Sequence, residues 1–202
     1  MKNLKRFTLA IAITLLGFNA TQAQTTSIGP LVGVNVSTFT GEPNTKPLAG
    51  LAVGGFINHS FDEHFGVNAK LIYSQLGSSY TFNEDINRLH YIQLPVTGVY
   101  YFGNNGQTFR PKVYAGLYGA SLLSSNHKSG DAVVEGNGTP YYKKSDFGGV
   151  LGLGFNYLLS DRTWLNVDAG YNGGFVDVTT SDATDFKNKA FTLNVGISFP
   201  IR

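Results

Sequence analysis

The sequence has 202 residues, of which 42% are hydrophobic and only 14% charged, with 25 glycines and no cysteine. Soluble domains carry roughly 25% charged residues, so the chain is too apolar for disorder and poor in charge for a water-covered surface. The lack of thiols excludes a disulfide scaffold, a Cys-ligated zinc site, a thiol nucleophile and a lipidated N-terminal cysteine.

The first residues carry the formal net charge of +2: beyond residue 23 the chain holds 12 basic against 13 acidic groups, which argues against a nucleic-acid partner. Lys2, Lys5 and Arg6 precede an apolar stretch of 12 residues from Phe7 to Phe18, and Thr21-Gln22-Ala23 supplies small residues for cleavage after Ala23. Residues 1–23 are therefore expected to be a cleaved secretory signal and 24–202 a single domain. Twelve apolar residues fall short of the roughly 20 of a membrane helix, and no apolar run of 18 follows residue 23.

Periodicity beyond the signal is two, and runs between turn residues predict eight strands: 28–37, 48–57, 65–80, 89–102, 111–124, 146–158, 163–175 and 190–199. In the third, Val67, Ala69, Leu71 and Tyr73 oppose Asn68, Lys70, Ile72 and Ser74, with Ile72 as the misfit. In the seventh, Leu165, Val167, Ala169 and Tyr171 oppose Asn166, Asp168, Gly170 and Asn172. In the last, Phe191, Leu193, Val195, Ile197 and Phe199 oppose Thr192, Asn194, Gly196 and Ser198. Successive strand side chains point to opposite faces, so each run makes one apolar and one polar wall. Every run is at least 10 residues long, enough for a tilted strand to cross hydrocarbon. An even strand count places both termini at one end. Segments 58–64, 103–110 and 159–162 then lie on that end, and the mostly longer 38–47, 81–88, 125–145 and 176–189 on the other, the asymmetry of periplasmic turns and extracellular loops.

A soluble lipocalin-like barrel also alternates, with its apolar face turned inward. Charge argues against it. The polar faces are mainly Asn, Ser, Thr, Gln and Gly, and the strand interiors are read as holding almost no charge except Lys70 and Asp168. Charges gather in turns and loops, as in Asp62, Glu63, Asp85, Lys128, Asp161, Arg162, Asp177 and Lys187. Aromatic residues collect near strand ends, with Tyr80, Phe82 and Tyr91 towards one rim and Tyr100, Tyr101, Phe102, Tyr157, Trp164 and Phe199 towards the other, as interfacial girdles would. The expected fold is all-β: an eight-stranded antiparallel up-and-down transmembrane β-barrel in the outer membrane of a Gram-negative bacterium, termini periplasmic.

The segments Leu71-Ile72-Tyr73-Ser74-Gln75-Leu76-Gly77, Tyr91-Ile92-Gln93-Leu94-Pro95-Val96, Tyr100-Tyr101-Phe102 and Tyr114-Ala115-Gly116-Leu117-Tyr118 resemble the PorT-like outer-membrane β-barrel proteins of the Bacteroidetes. Gly33-Val34-Asn35-Val36-Ser37 and the stretch from Asp146-Phe147-Gly148 to Gly154 are similar too. The resemblance covers nearly all of 28–199 and implies an eight-stranded outer-membrane barrel; one founding member is linked to type IX secretion. Three positions depart from the family. Lys70 stands where such proteins usually carry Glu, Gln93 where they often do, and Gly170 where an Arg often precedes Tyr171. The chain also ends Phe199-Pro200-Ile201-Arg202 instead of stopping at an aromatic residue.

An eight-stranded barrel is just wide enough for side chains to fill, and Asn35, Asn68, Lys70, Gln93, Tyr114, Asn156, Asp168 and Asn194 are expected to fill it, leaving no solute channel. An unpartnered charge there would cost several kcal/mol, so Lys70 and Asp168 are expected to form a lumen ion pair.

Catalytic patterns are thin. His59-Ser60-Phe61-Asp62-Glu63-His64 gathers metal-type donors in a turn where polar residues are the default. His90 near the outer rim, with Ser74 or Ser78 one strand away, and His127-Lys128-Ser129 in a loop invite comparison with lipid A hydrolases without supplying a nucleophile, base and orienting acid. Gly148 to Gly154 lacks the Gly-Lys-Ser/Thr of a phosphate loop and reads as close packing, while Asn137-Gly138-Thr139 reads as a turn. The loop 125–145, with Lys128, Tyr141, Tyr142, Lys143 and Lys144, is the expected recognition surface. The chain is thus expected to be non-enzymatic, without metal or cofactor, in a structural, accessory or loop-binding role. Rivals are a type IX secretion accessory, a lipid A-modifying enzyme and a soluble carrier. Expected partners are outer-membrane lipid and lipopolysaccharide, the barrel-assembly machinery during insertion, and envelope or secretion-system proteins.

Overall fold

Among the described residues there are nine strands, eight of them long runs of alternating apolar and polar residues: β1 Thr25–Thr40, β2 Thr45–Ser60, β3 Phe65–Tyr80, β4 Ile86–Tyr101, β5 Phe109–Ser129, β6 Ala132–Gly136 (five residues only), β7 Ser145–Ser160, β8 Thr163–Gly174 and β9 Lys187–Ile201. The computed structural model describes residues 25–41, 44–81, 85–104, 106–129, 132–136, 142–179 and 186–201. The expected signal, Phe82, Tyr141 and Asn137-Gly138-Thr139 lie outside them. Among the described residues there is no helix.

All neighbouring strands run antiparallel, in the cycle β1-β2-β3-β4-β5-β7-β8-β9, and β9 returns to pair with β1, as in Val34 opposite Leu193. The result is a closed eight-stranded barrel. The ninth strand, β6, lies outside this cycle and was not expected. It pairs with the last turnward residues of β5, Ser125–Ser129, of which 125–128 also pair with β4, so that a three-stranded flap rises from the end of the barrel opposite the termini. Part of the expected loop 125–145 is thus sheet. At roughly 3.3 Å per residue and a tilt of roughly 40°, a 16-residue strand such as β1 or β7 advances about 40 Å along the axis. That exceeds an apolar band of roughly 25 Å, which is why most strands outrun their expected limits by several residues.

The barrel is inside out relative to a soluble protein. Leu151, Leu153, Phe191 and Leu71 are 61%, 63%, 67% and 57% exposed on the outer wall, whereas Asn35, Gln93, Asn166 and Ser198 are 2–3% exposed inside. A soluble barrel that holds an apolar ligand needs the reverse arrangement. Ile72, the misfit of its strand, stays in phase and is buried among the interior residues Leu31, Ala52 and Phe56.

Two glycine positions show why the wall is glycine-rich. Gly77 has φ +147°, a backbone value that side-chain-bearing residues rarely adopt, and its N–H and C=O both bond the Ser37 hydroxyl, at 2.8 and 3.0 Å. Gly152, opposite Tyr114 in the next strand, leaves room for that tyrosine to lie across the sheet: a Cβ there would come 2.4 Å from the tyrosine ring and hydroxyl.

Candidate functional site

The interior is the chemically distinctive part of the molecule, and β3, β5 and β8 build its centre. Closure of the barrel brings Lys70 and Asp168, 98 residues apart in sequence, to an Nζ–Oδ2 distance of 2.8 Å. Lys112 lies 2.7 Å from the other carboxylate oxygen and donates to Asn156 Oδ1 at 2.8 Å. Lys70 also sits 5.4 Å from the centre of the Tyr114 ring. One carboxylate therefore serves two ammonium groups. Lys112 was missed by the expectation that strand interiors hold almost no charge beyond Lys70 and Asp168. Its signal was present, because Lys112 stands two residues before Tyr114 and so shares its inward face. Arg110 and Asp146 are further corrections to that expectation, being 9% and 3% exposed.

Asp146, near the far end, is held by hydrogen bonds. Its Oδ2 accepts from the Tyr118 hydroxyl at 3.1 Å and from Asn188 Nδ2 at 2.9 Å. Beyond it, Phe39, Leu76, Leu89, Tyr91, Leu122 and Ala190 point inward and are closed over by Val178, Phe186 and Tyr142 from the connecting segments. An apolar plug thus seals the interior at this end, and Val178 is wholly buried.

Three aromatic residues expected in the girdles face the interior instead. Tyr91 is 0% exposed within the plug, Tyr101 is 3% exposed beneath Arg110, and Trp164 lines the cavity at the terminal end. Nearness to a rim does not decide the face; strand phase does. Outward rings near the terminal end include Phe65, Tyr100, Phe102, Phe109 and Phe155, paired edge-on or tilted with centroids 5.1 Å apart, and Tyr157 and Phe199, 41% and 48% exposed. Tyr171 packs on Phe191 towards the other end, at 5.2 Å.

The expected recognition residues divide. Lys128 is exposed on the β5 extension, and Lys144 is exposed while its carbonyl accepts from the Leu122 amide. Tyr142 is half-buried, with its ring centre 6.3 Å from that of Phe39. Lys143 is an exposed partner of Asp177, at 3.0 Å. Asp177 organises this loop. Burial alone would raise its pKa, but hydrogen bonds from the Thr179 amide and hydroxyl, Lys143 and the Phe186 amide outweigh it and hold the carboxyl at about 2. A carboxyl depressed in the folded state contributes stability that is complete above its ordinary pKa and is lost as pH falls through the folded value. The amide resonances of Thr179 and Phe186 should therefore titrate together near pH 2 and stay constant above pH 4. A shared midpoint near 4 would show that these bonds do not hold the loop.

The hydrolase-type groups do not converge. His90 faces outward and its Nδ1 lies 2.6 Å from the Tyr73 hydroxyl, whereas Ser74 and Ser78 are buried on the inner face. His127 bonds the Asn87 side chain. At the terminal end, His59 contacts Thr26 Oγ1 at 2.9 Å and His64 contacts the Tyr101 carbonyl at 3.0 Å, so the two imidazoles diverge. Asp62 caps its turn by accepting from the Phe65 and His64 amides at 2.7 Å, and these bonds lower its pKa. Among the described residues no three His, Asp or Glu side chains group into a metal site.

Solved structures share this architecture at low sequence identity. The outer membrane protein OprG from Pseudomonas aeruginosa superposes with a TM-score of 0.56 at 13% identity, over 89% of this chain and 96% of that one. Neisserial surface protein A gives 0.54 at 11%, over 87% and 96%. The solution structure of the E. coli outer membrane protein W gives 0.53 at 14%, over 89% and 98%. No curated protein sequence matches the chain significantly. A family profile described as the outer membrane protein beta-barrel domain matches residues 22–180. With its closed barrel, apolar outer wall and polar interior, the chain belongs to the outer membrane protein β-barrel domain family.

Proposed function

We propose that the protein is a non-enzymatic structural or accessory component of the outer membrane, with its termini in the periplasm and its longer connections outside the cell. The observation that carries this reading is the inverted wall: large apolar residues cover the outside, while polar residues fill the interior beneath an apolar plug. Such a barrel is adapted to lipid outside and offers neither a through-channel nor a converged catalytic triad among the described residues. The two-residue turn 161–162 at the terminal end, against the connection 175–186 between β8 and β9 opposite, supports the orientation. The segments of β3, β4 and β5 that resemble PorT-like barrels support a place among those proteins, and Lys2, Lys5 and Arg6 before the apolar stretch Phe7 to Phe18 support a leader removed after Ala23. Partners on this reading are lipopolysaccharide and outer-membrane lipid, the assembly machinery during insertion, and envelope or secretion-system proteins.

Fractionation of the expressed protein tests the proposal. It should require detergent for release from the outer membrane, resist SDS unheated and change mobility after boiling, while lipid A mass stays unchanged on overexpression. Recovery as a soluble, heat-insensitive protein would overturn the membrane reading, and an altered lipid A mass would overturn the non-enzymatic one.

A further inference from the structure

The half of the interior nearest the termini holds three cations, Lys70, Lys112 and Arg110, and one carboxylate, Asp168. Both lysines are committed to Asp168. Arg110 is left without an anion: among the described residues no carboxylate pairs with it, and its Nε has no hydrogen-bond partner although it is buried. One Nη2 bond goes to the Glu63 main-chain carbonyl, and the guanidinium sits 4.8 Å from the Tyr101 ring centre. These contacts aim a rigid guanidinium, and the Glu63 carboxylate, which acts on it electrostatically from a distance, forms no ion pair with it.

Beside Arg110 a cavity of about 180 Å³ opens at the terminal end of the barrel. Its wall includes Ser27, Asn58, Ser60, Asn156 and Ser198, and no acidic side chain lines it. Asn156 Oδ1 accepts from Lys112, and the Asn156 side chain also bonds Tyr101, as does Ser60; an amide nitrogen carries two N–H groups, so one bond to Tyr101 still leaves a donor. A liquid water takes roughly 30 Å³, so the space suits a small oxyanion together with a few waters. Guanidinium groups match phosphate and carboxylate oxygens in bidentate geometry, and the surrounding hydroxyl and amide groups supply further donors.

We propose that this vestibule is a binding site for a small oxyanion, a phosphate or a carboxylate group, with Arg110 as its anchor. The sole tryptophan, Trp164, lines the same cavity, so its fluorescence reports occupancy directly. The test titrates the folded full chain in phosphate-free detergent with inorganic phosphate and, separately, with acetate. A saturable fluorescence change is expected, weakened at least tenfold by Arg110→Gln. Saturation by phosphate alone assigns a phosphate-bearing ligand, and saturation by acetate, alone or as well, assigns a carboxylate. Because Arg110 also holds the Glu63 turn, Ser27→Leu provides a second variant that fills the cavity and keeps the charge; it too should weaken binding at least tenfold. A response that does not saturate for either anion, or binding unchanged in Ser27→Leu, would overturn the site.

Discussion

Replacing Asp168 by alanine should destabilise the barrel by roughly 3–5 kcal/mol, the scale for removing one partner of a buried ion pair. The reason is specific to this interior. Asp168 faces Lys70 at 2.8 Å and Lys112 at 2.7 Å, and both lysines are buried, so its loss strands two ammonium groups where water is scarce. Lys70→Met and Lys112→Met should each cost less, because either leaves Asp168 with the other lysine. Replacing all three together by apolar residues of similar size should recover much of the loss, since buried charge clusters are often no more stabilising than a well-packed apolar substitute. The check is the urea concentration at which the unheated, faster-migrating band disappears. If Asp168→Ala keeps the wild-type midpoint, the cluster does not stabilise the barrel.

Leu153→Arg should cost roughly 2–4 kcal/mol in a phospholipid bilayer, the range for a basic residue at the midplane of a barrel's lipid face. Leu153 is 63% exposed and lies mid-wall, opposite Val113 and Ala169 in the neighbouring strands. In water such an exposed site would tolerate the change within about 0.5 kcal/mol. Leu159, 51% exposed on the same face but next to the terminal rim, provides the internal control, and Leu159→Arg should cost only about 0–1 kcal/mol. Unfolding titrations of both variants in vesicles decide the matter. Equal costs at the two positions would mean that no hydrocarbon slab surrounds the wall.

Much of this architecture is legible in residue order, with uneven reach. The last strand shows it well: Phe191 to Phe199 alternate with Thr192 to Ser198, and the first set is exposed while Asn194 and Ser198 are buried. Lys112 is legible by phase, standing two residues before the inward Tyr114. Tyr91, Tyr101 and Trp164 were assigned by distance from a rim although Gln93 and Asn166, on the same strand faces, marked them as interior. The plug was not legible at all. Val178 and Phe186 come from a connection without periodicity, and their burial depends on Phe39, Leu76, Leu89, Tyr91, Leu122, Ala190 and Tyr142 converging around them.

The chain's own order determined the strands, their inward and outward faces and the membrane-facing character of the wall, because side-chain alternation is a local property of extended backbone. Only closure decided which interior residues meet. Lys70, Lys112 and Asp168 come from three strands, and their encounter depends on the stagger and circumference of the whole barrel, which no single strand encodes. The same closure left Arg110 beside a cavity without a carboxylate, and it folded the loop around Asp177 into the far mouth.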